Sequence, residues 1–355
     1  MIYYIRVIVT LSIIQYSCNY LHAQKDEFYS KPLEIINEED SVKLAGTLIA
    51  PDSMGTYPLA LFISGSGPQD RFSTIGKNRP FLFIAKELEK IGIASVCFDD
   101  RGTGQSTGSK FTNTMEVELM DHQLILDAIH EQFADDSLSF SHVGLIGHSL
   151  GGMTALELNR SNELDFLVLM ATPFEKGFEM MLKQKRNIES LYDDTPEEEI
   201  EIGINNMRKV YETLIENKDH PNLDSLLTAE FNALDTGSGL SPTLINNLVY
   251  QMTNTHLYDI LLYDPMKTNY SLDIPTLFIY GSKDLQVPPA GSIQNIDQLI
   301  ADRISPIDYV LISGVNHLFQ KSKDGSPMDY VLLKESINEI PLGIITSWME
   351  RTLIK

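Results

Sequence analysis

Val143-Gly144-Leu145-Ile146-Gly147-His148-Ser149-Leu150-Gly151-Gly152 is the stretch on which the reading of this chain turns. Its first four residues form a fully apolar run, as expected of a strand buried on both faces, and Met153 to Leu158 has the spacing of a helix. Between them stands a G-x-S-x-G turn. Strand, turn and helix in direct succession make a sharp corner whose flanking positions accept only small residues, which accounts for Gly147 and Gly151. Such a corner presents the Ser149 hydroxyl at the carboxyl edge of a sheet, above a helix N-terminus that favours developing negative charge.

The same alternation runs outward in both directions. Leu33 to Ile36 and Lys43 to Ile49 read as a strand pair joined by the turn Glu38-Glu39-Asp40. Then come strand Leu59 to Ile63, helix Phe81 to Ile91, strand Ile93 to Phe98, and a helical pattern from Glu116 to Phe133. Beyond the turn, strand Phe166 to Met170, strand Thr276 to Tyr280, helix Ser292 to Ala301, strand Asp308 to Ile312 and helix Ile340 to Leu353 complete the series. Apolar strands separated by helices predict an α/β chain with a mainly parallel sheet covered on both faces. Ligands of such sheets bind beyond the carboxyl ends of the strands.

One segment breaks this rhythm. Between Pro173 and Tyr270 the sequence has helical patterns and no convincing strand, over a length far greater than an ordinary connection. The expected organisation is a core built from 24–172 and 271–355, with 173–270 as a helical cap. Thr195 as N-cap, Pro196 at N1 and Glu198 at N3 mark the start of one cap helix, and Asp235-Thr236-Gly237-Ser238-Gly239 marks a flexible break.

Composition narrows the partners. Of 355 residues, 49 are acidic and 27 are Lys or Arg, a net charge of −22. So acidic a surface repels phosphate backbones, which disfavours nucleic acid. Residues 1–23 read as an export signal: Arg6, the apolar stretch Val7 to Ile14, and the small residue Ala23 after Leu21-His22. The mature protein would begin near Gln24 and be periplasmic or secreted. The apolar stretch is too short to span a bilayer. A lipid anchor on Cys18 is disfavoured by Gln15, which stands where that signal wants a Leu. Cys97, the other cysteine, lies in an apolar strand and is expected to be a buried, inert thiol.

A serine hydroxyl needs a base, and eight histidines compete: 22, 122, 130, 142, 148, 220, 256 and 317. In sheets that carry this turn, the chain order is nucleophile, acid, histidine. His317, in the loop after strand Asp308 to Ile312, satisfies that order. His256 follows Ser149 too, but lies in the cap as a surface or packing residue. His148, inside the turn, is expected to be a structural hydrogen-bonder. The acid is expected in Gly281-Ser282-Lys283-Asp284, at the end of strand Thr276 to Tyr280. Asp284 is therefore preferred to Asp273, which precedes the strand, and to Asp297, which lies in a helix. Two backbone N–H groups would hold an oxyanion: Leu150 after the serine, and Ser66 in Ser64-Gly65-Ser66-Gly67, with Gly65 and Gly67 as its neighbours in contention. The glycine loop Asp99-Asp100-Arg101-Gly102-Thr103-Gly104 lacks the Gly-Lys-Ser/Thr ending of a phosphate loop. Its Asp100 and Arg101 are expected to pin it. No His/Cys/Asp/Glu group has metal-ligand spacing, and nothing in this arrangement calls for a cofactor.

Gly65-Ser66-Gly67-Pro68-Gln69-Asp70-Arg71, Asp100-Arg101-Gly102-Thr103-Gly104, Gly147 to Gly152, Gly281-Ser282-Lys283-Asp284 and Asn316-His317-Leu318-Phe319-Gln320 together resemble bacterial α/β-hydrolases of the esterase branch, near the serine aminopeptidase and dienelactone hydrolase families. The match runs in order from about Leu33 to the C-terminus and is loosest in the cap. The resemblance implies an α/β-hydrolase fold with a helical cap insertion. It also implies serine carboxylesterase activity on small-molecule esters with short acyl chains, carried by Ser149, Asp284 and His317. An aminopeptidase-like amidase or a thioesterase would use the same three residues, and the acidic run Asp193 to Glu201 keeps an amine-binding cap open. The intact set of residues argues against a non-enzymatic ligand-binding protein on the same scaffold.

Overall fold

Residues 28–354 are described by a computed structural model, apart from 111–113, 134–136, 193–194, 235–238, 269, 271 and 303–305. The expected export signal, and 235–238 of the expected flexible break, lie outside the described residues. The strands are β1 (Tyr29–Asn37), β2 (Val42–Ala50), β3 (Gly55–Ile63), β4 (Ala94–Phe98), β5 (Leu138–His148), β6 (Phe166–Met170), β7 (Thr276–Gly281) and β8 (Ile307–Ile312). They form one eight-stranded sheet in the order β1-β2-β4-β3-β5-β6-β7-β8. From β4 to β8 every pairing is parallel, whereas β2 pairs antiparallel with both β1 and β4.

Burial follows position in the sheet. Central β6 and β7 are buried at every residue, as strands covered on both faces must be. Edge strand β1 instead alternates, with Leu33 and Ile35 inward and Glu34 and Ile36 outward. The two faces carry separate apolar layers. Leu59, Leu61 and Ile63 of β3 join the layer that holds α2 (Met115–Ala128), α3 (Leu150–Leu158) and α9 (Pro289–Asp302). Ala60 and Phe62, pointing the other way, join α1 (Pro80–Lys90) and α10 (Glu339–Leu353). Cys97 is fully buried in this second layer, and burial pushes its thiol pKa up.

Between β6 and β7 the described residues form five helices: α4 (Gly177–Glu189), α5 (Glu197–Glu216), α6 (Leu223–Ala233), α7 (Pro242–Asn254) and α8 (His256–Leu262). They bury their own apolar cluster, which includes Met180, Ile200, Val210, Phe231 and Val249. Among the described residues of this insertion no strand occurs. The start of α5 corrects one expectation. Pro196, not Thr195, holds the N-cap position, and its carbonyl accepts from Glu199 N and Ile200 N. The Thr195 hydroxyl is buried with no hydrogen-bond partner. The helical pattern read from Glu116 to Phe133 is also split, into α2 and a π turn at Ile129–Phe133. No helix among the described residues is long and apolar enough to cross a membrane.

Candidate active site

Ser149 sits at the corner between β5 and α3 with φ 55° and ψ −121°. A non-glycine residue in that region costs on the order of 1–3 kcal/mol and persists only where its surroundings enforce it. Here they do. Ser149 N donates to Met170 O of β6 at 2.8 Å, and Gly152 N returns to Ser149 O at 3.0 Å. The glycines are a packing requirement: a Cβ on Gly147 would stand 2.5 Å from Gly151 O, and one on Gly151 would stand 2.2 Å from Ser64 O. The turn is thereby pressed against the end of β3 as well as β6.

Asp284 and His317, on loops after β7 and β8, meet as expected. His317 Nδ1 is 2.7 Å from Asp284 Oδ2, and both residues are buried. The second oxygen of Asp284 accepts from Gln286 N at 2.9 Å and Val287 N at 2.8 Å. A carboxylate so fixed can orient an imidazole and stabilise its charged form. With Nδ1 committed to Asp284, Nε2 is the nitrogen able to take a proton.

His148 ties the serine turn to the histidine loop. Its Nε2 lies 2.9 Å from the His317 carbonyl, and the two rings are 4.8 Å apart at 52°. Burial, then the charge of His317, lowers the His148 pKa to about 3. The ring stays neutral, so its Nε2–H donates to the carbonyl and it does not compete for protons near neutral pH. That is the structural role expected for it.

Leu150 is the first residue of α3 and is buried, which places its N–H in the free first turn of that helix. Ser66 is exposed on the loop after β3. Its neighbour Gly65 is buried against the serine, where a Cβ would lie 3.2 Å from Ser149 Cβ. The glycine loop after β4 holds this loop in place. Asp100 Oδ2 accepts from Gln69 N at 2.7 Å and is 3.1 Å from the Ser64 hydroxyl. Asp99 accepts from Arg71 N at 2.8 Å and from Arg71 Nε at 3.0 Å. Burial first, and the nearby Glu118 charge second, push the Asp100 carboxyl well above the usual carboxylate range. Arg101 reaches away to Asp121 of α2 and to Asp40 of the β1–β2 turn. The Asp100 and Arg101 loop is thus structural, and each residue pins a different neighbour.

Sequence reasoning missed the partner of His256. That residue opens α8 and is buried, with Nε2 3.3 Å from Glu118 Oε1 on α2. The contact is a close approach of charges rather than an aligned hydrogen bond. Thr154 Oγ1 donates to the other Glu118 oxygen at 3.0 Å, and Asp259 Oδ2 accepts from Met115 N at 2.9 Å. No local signal joins a residue of α2 to one of α8, so the pair is visible only in three dimensions. Asp297, set aside as the acid, accepts from the Tyr309 hydroxyl at 2.7 Å.

The chain belongs to the α/β hydrolase fold family, whose family model matches residues 74–324. Among curated proteins it is similar to esterase EstD of Thermotoga maritima, 26% identical over 307 residues that cover 86% of this chain and 65% of that protein. The chain therefore spans about two thirds of that relative's length. Among solved structures it resembles the Pyrococcus furiosus esterase Pf2001, with TM-score 0.52, 17% identity and coverage of 91% of this chain and 93% of that one. It also resembles the α/β hydrolase GrgF from Penicillium, with TM-score 0.53, 15% identity and coverage of 92% and 100%. At such identities these structures speak for the fold alone.

Proposed function

We propose that the protein is a serine hydrolase that cleaves small carboxylic esters through an acyl-enzyme, with Ser149 as nucleophile, His317 as base and Asp284 as the acid that orients it. The observation that carries this reading is the meeting of three features at the carboxyl ends of β5, β7 and β8. They are a serine held at φ 55° and, beside its turn, a buried histidine 2.7 Å from a buried aspartate. The name of the Thermotoga relative as an esterase supports the choice of ester over amide or thioester.

His317 Nε2 takes the hydroxyl proton as Ser149 Oγ attacks the ester carbonyl, and the backbone N–H groups of Leu150 and Ser66 hold the oxyanion. The proton passes to the leaving alcohol. Water, deprotonated in turn by His317, then releases the acid from the serine. The helical insertion acts as a cap that sets acyl-chain choice. Its α4 places Gln184 Nε2 3.1 Å from the Gln286 carbonyl, and its apolar cluster takes in Val287, both on the Asp284 loop. Short acyl chains are the expected substrates. The apolar stretch before Ala23 supports export from the cytoplasm.

The test is hydrolysis of p-nitrophenyl acetate, butyrate and octanoate by residues 24–355. The reading expects rates that fall with chain length and vanish in Ser149→Ala. A folded protein inactive on all three esters but active on an aminoacyl amide or a thioester would overturn the ester assignment.

A further inference from the structure

Gln286 stands at a junction of three segments. Its backbone N–H donates to Asp284 Oδ1 at 2.9 Å, its side-chain Nε2 donates to the Tyr330 hydroxyl at 2.9 Å, and its carbonyl accepts from Gln184 of α4 at 3.1 Å. Tyr330 is 1% exposed, so that hydroxyl is held inside the protein. Burial first, and the Asp284 charge second, push the Tyr330 pKa well up. The phenol therefore stays protonated throughout the working range.

Tyr330 is in turn fastened to the histidine loop. Its carbonyl accepts from Asn78 Nδ2 at 3.3 Å and lies 3.5 Å from Gln320 Nε2. Gln320 is fully buried, and its Nε2 also donates to the Glu335 carbonyl at 2.7 Å. Its backbone N–H donates to Asn316 Oδ1 at 2.9 Å, and Leu318 N donates to the same oxygen at 3.1 Å. This bracket closes the tight turn that carries His317. A continuous chain of half-buried and buried polar contacts thus runs from the Asp284 loop through Gln286 and Tyr330 to the turn that presents the imidazole.

We propose that Gln286 and Tyr330 are positioning residues. Their side-chain hydrogen bond fixes the loop that carries Asp284 relative to the turn that carries His317, and so sets how well the carboxylate stabilises the imidazolium. This rests on the serine hydrolase reading above. A loosely held carboxylate still meets the ring, but at a longer or less aligned contact. The charged form of His317 then loses part of its support. An error of about 1 Å in such a constellation costs up to about a hundredfold in rate.

The experiment measures inactivation of residues 24–355 by a fluorophosphonate across pH 5 to 9, for the parent, Tyr330→Phe and Gln286→Met. The reaction needs no knowledge of the natural substrate. Ser149 Oγ forms a bond to phosphorus, the P–F bond breaks, fluoride leaves, and the serine proton goes to His317. Both substitutions keep the backbone N–H that serves Asp284, and Tyr330→Phe removes a single oxygen. Each is expected to slow inactivation about tenfold and to move the acid limb of the profile to lower pH. Unchanged rate and limb in both variants would overturn the proposal. So would a slower rate with an unmoved limb and a lowered Tm, the pattern of a merely structural contact. If the folded parent itself fails to react, the serine hydrolase reading falls first and takes this one with it.

Discussion

Two buried histidine–carboxylate pairs occur among the described residues, and they differ in where their backbone comes from. His317 and Asp284 lie on loops that leave parallel strands at the same sheet edge, and they meet through Nδ1 at 2.7 Å. His256 and Glu118 lie on two helices, one in the insertion and one in the core, and they meet through Nε2 at 3.3 Å. Loops beyond strand ends can aim an imidazole across the edge toward Ser149, and pairing at Nδ1 leaves Nε2 for chemistry. The first turns of two helices held against each other inside the packing offer no such opening. A histidine beside a carboxylate is therefore the proposed catalytic base in one place and a clamp between insertion and core in the other. Asp259, beside His256, adds to the clamp, since its Oδ2 accepts from Met115 N at the start of α2, a bond that offsets part of the burial that pushes its carboxyl pKa up.

Substitutions at the first pair should break this contrast most visibly. His317→Ala is expected to lower kcat for p-nitrophenyl butyrate by about a millionfold, since loss of one member of such a unit costs nearly as much as loss of all. Asp284→Asn, which keeps the shape but favours the wrong tautomer, should cost about ten-thousandfold. Steady-state kinetics on the purified variants checks both. If His256→Ala caused the larger loss of activity per folded molecule, the assignment of roles would be reversed.

The second pair should answer in stability instead. His256→Gln leaves Glu118 buried without its cation and should cost about 3–5 kcal/mol in a urea titration, with kcat of the folded fraction unchanged. The effect carries a pH signature. Burial alone would lower the His256 pKa, but the Glu118 carboxylate outweighs it and the net shift is upward. Its contribution is therefore complete below the ordinary histidine value of about 6.5 and is lost as pH rises through the higher folded value. Burial alone would raise Glu118, but His256, His122 and Thr154 outweigh it and the net shift is downward. That contribution is complete above the ordinary glutamate value of about 4.3 and is lost as pH falls through the lower folded value. The stability difference between parent and variant should be largest between those limits and shrink in alkali. A difference that grew with pH would contradict the ion pair.

The two pairs were not equally legible in the sequence. The Asp284 and His317 pair could be read because each residue sits on the loop that follows an apolar strand and the chain order of such sites is fixed. Val143 to Gly152 gave the serine corner by local pattern alone, and its glycines prove to be where the backbones touch. The Glu118 and His256 pair could not be read. A histidine at the start of a helix carries no mark of what will pack against it, and the partner is chosen by tertiary packing. The same limit explains Thr195: a Thr-Pro before acidic residues is a sound helix start, yet the turn settled one residue later with Pro196 at the cap. It also hid Gln286 and Tyr330, whose bond joins segments far apart in the chain.

The most direct measurement of the central claim is mass mapping of the fluorophosphonate adduct on residues 24–355, with His317→Asn and His256→Asn run in parallel. The account predicts a single modified peptide containing Ser149, lost in His317→Asn and retained in folded His256→Asn. An adduct on another serine, or one that survives in His317→Asn and disappears in His256→Asn, would contradict it.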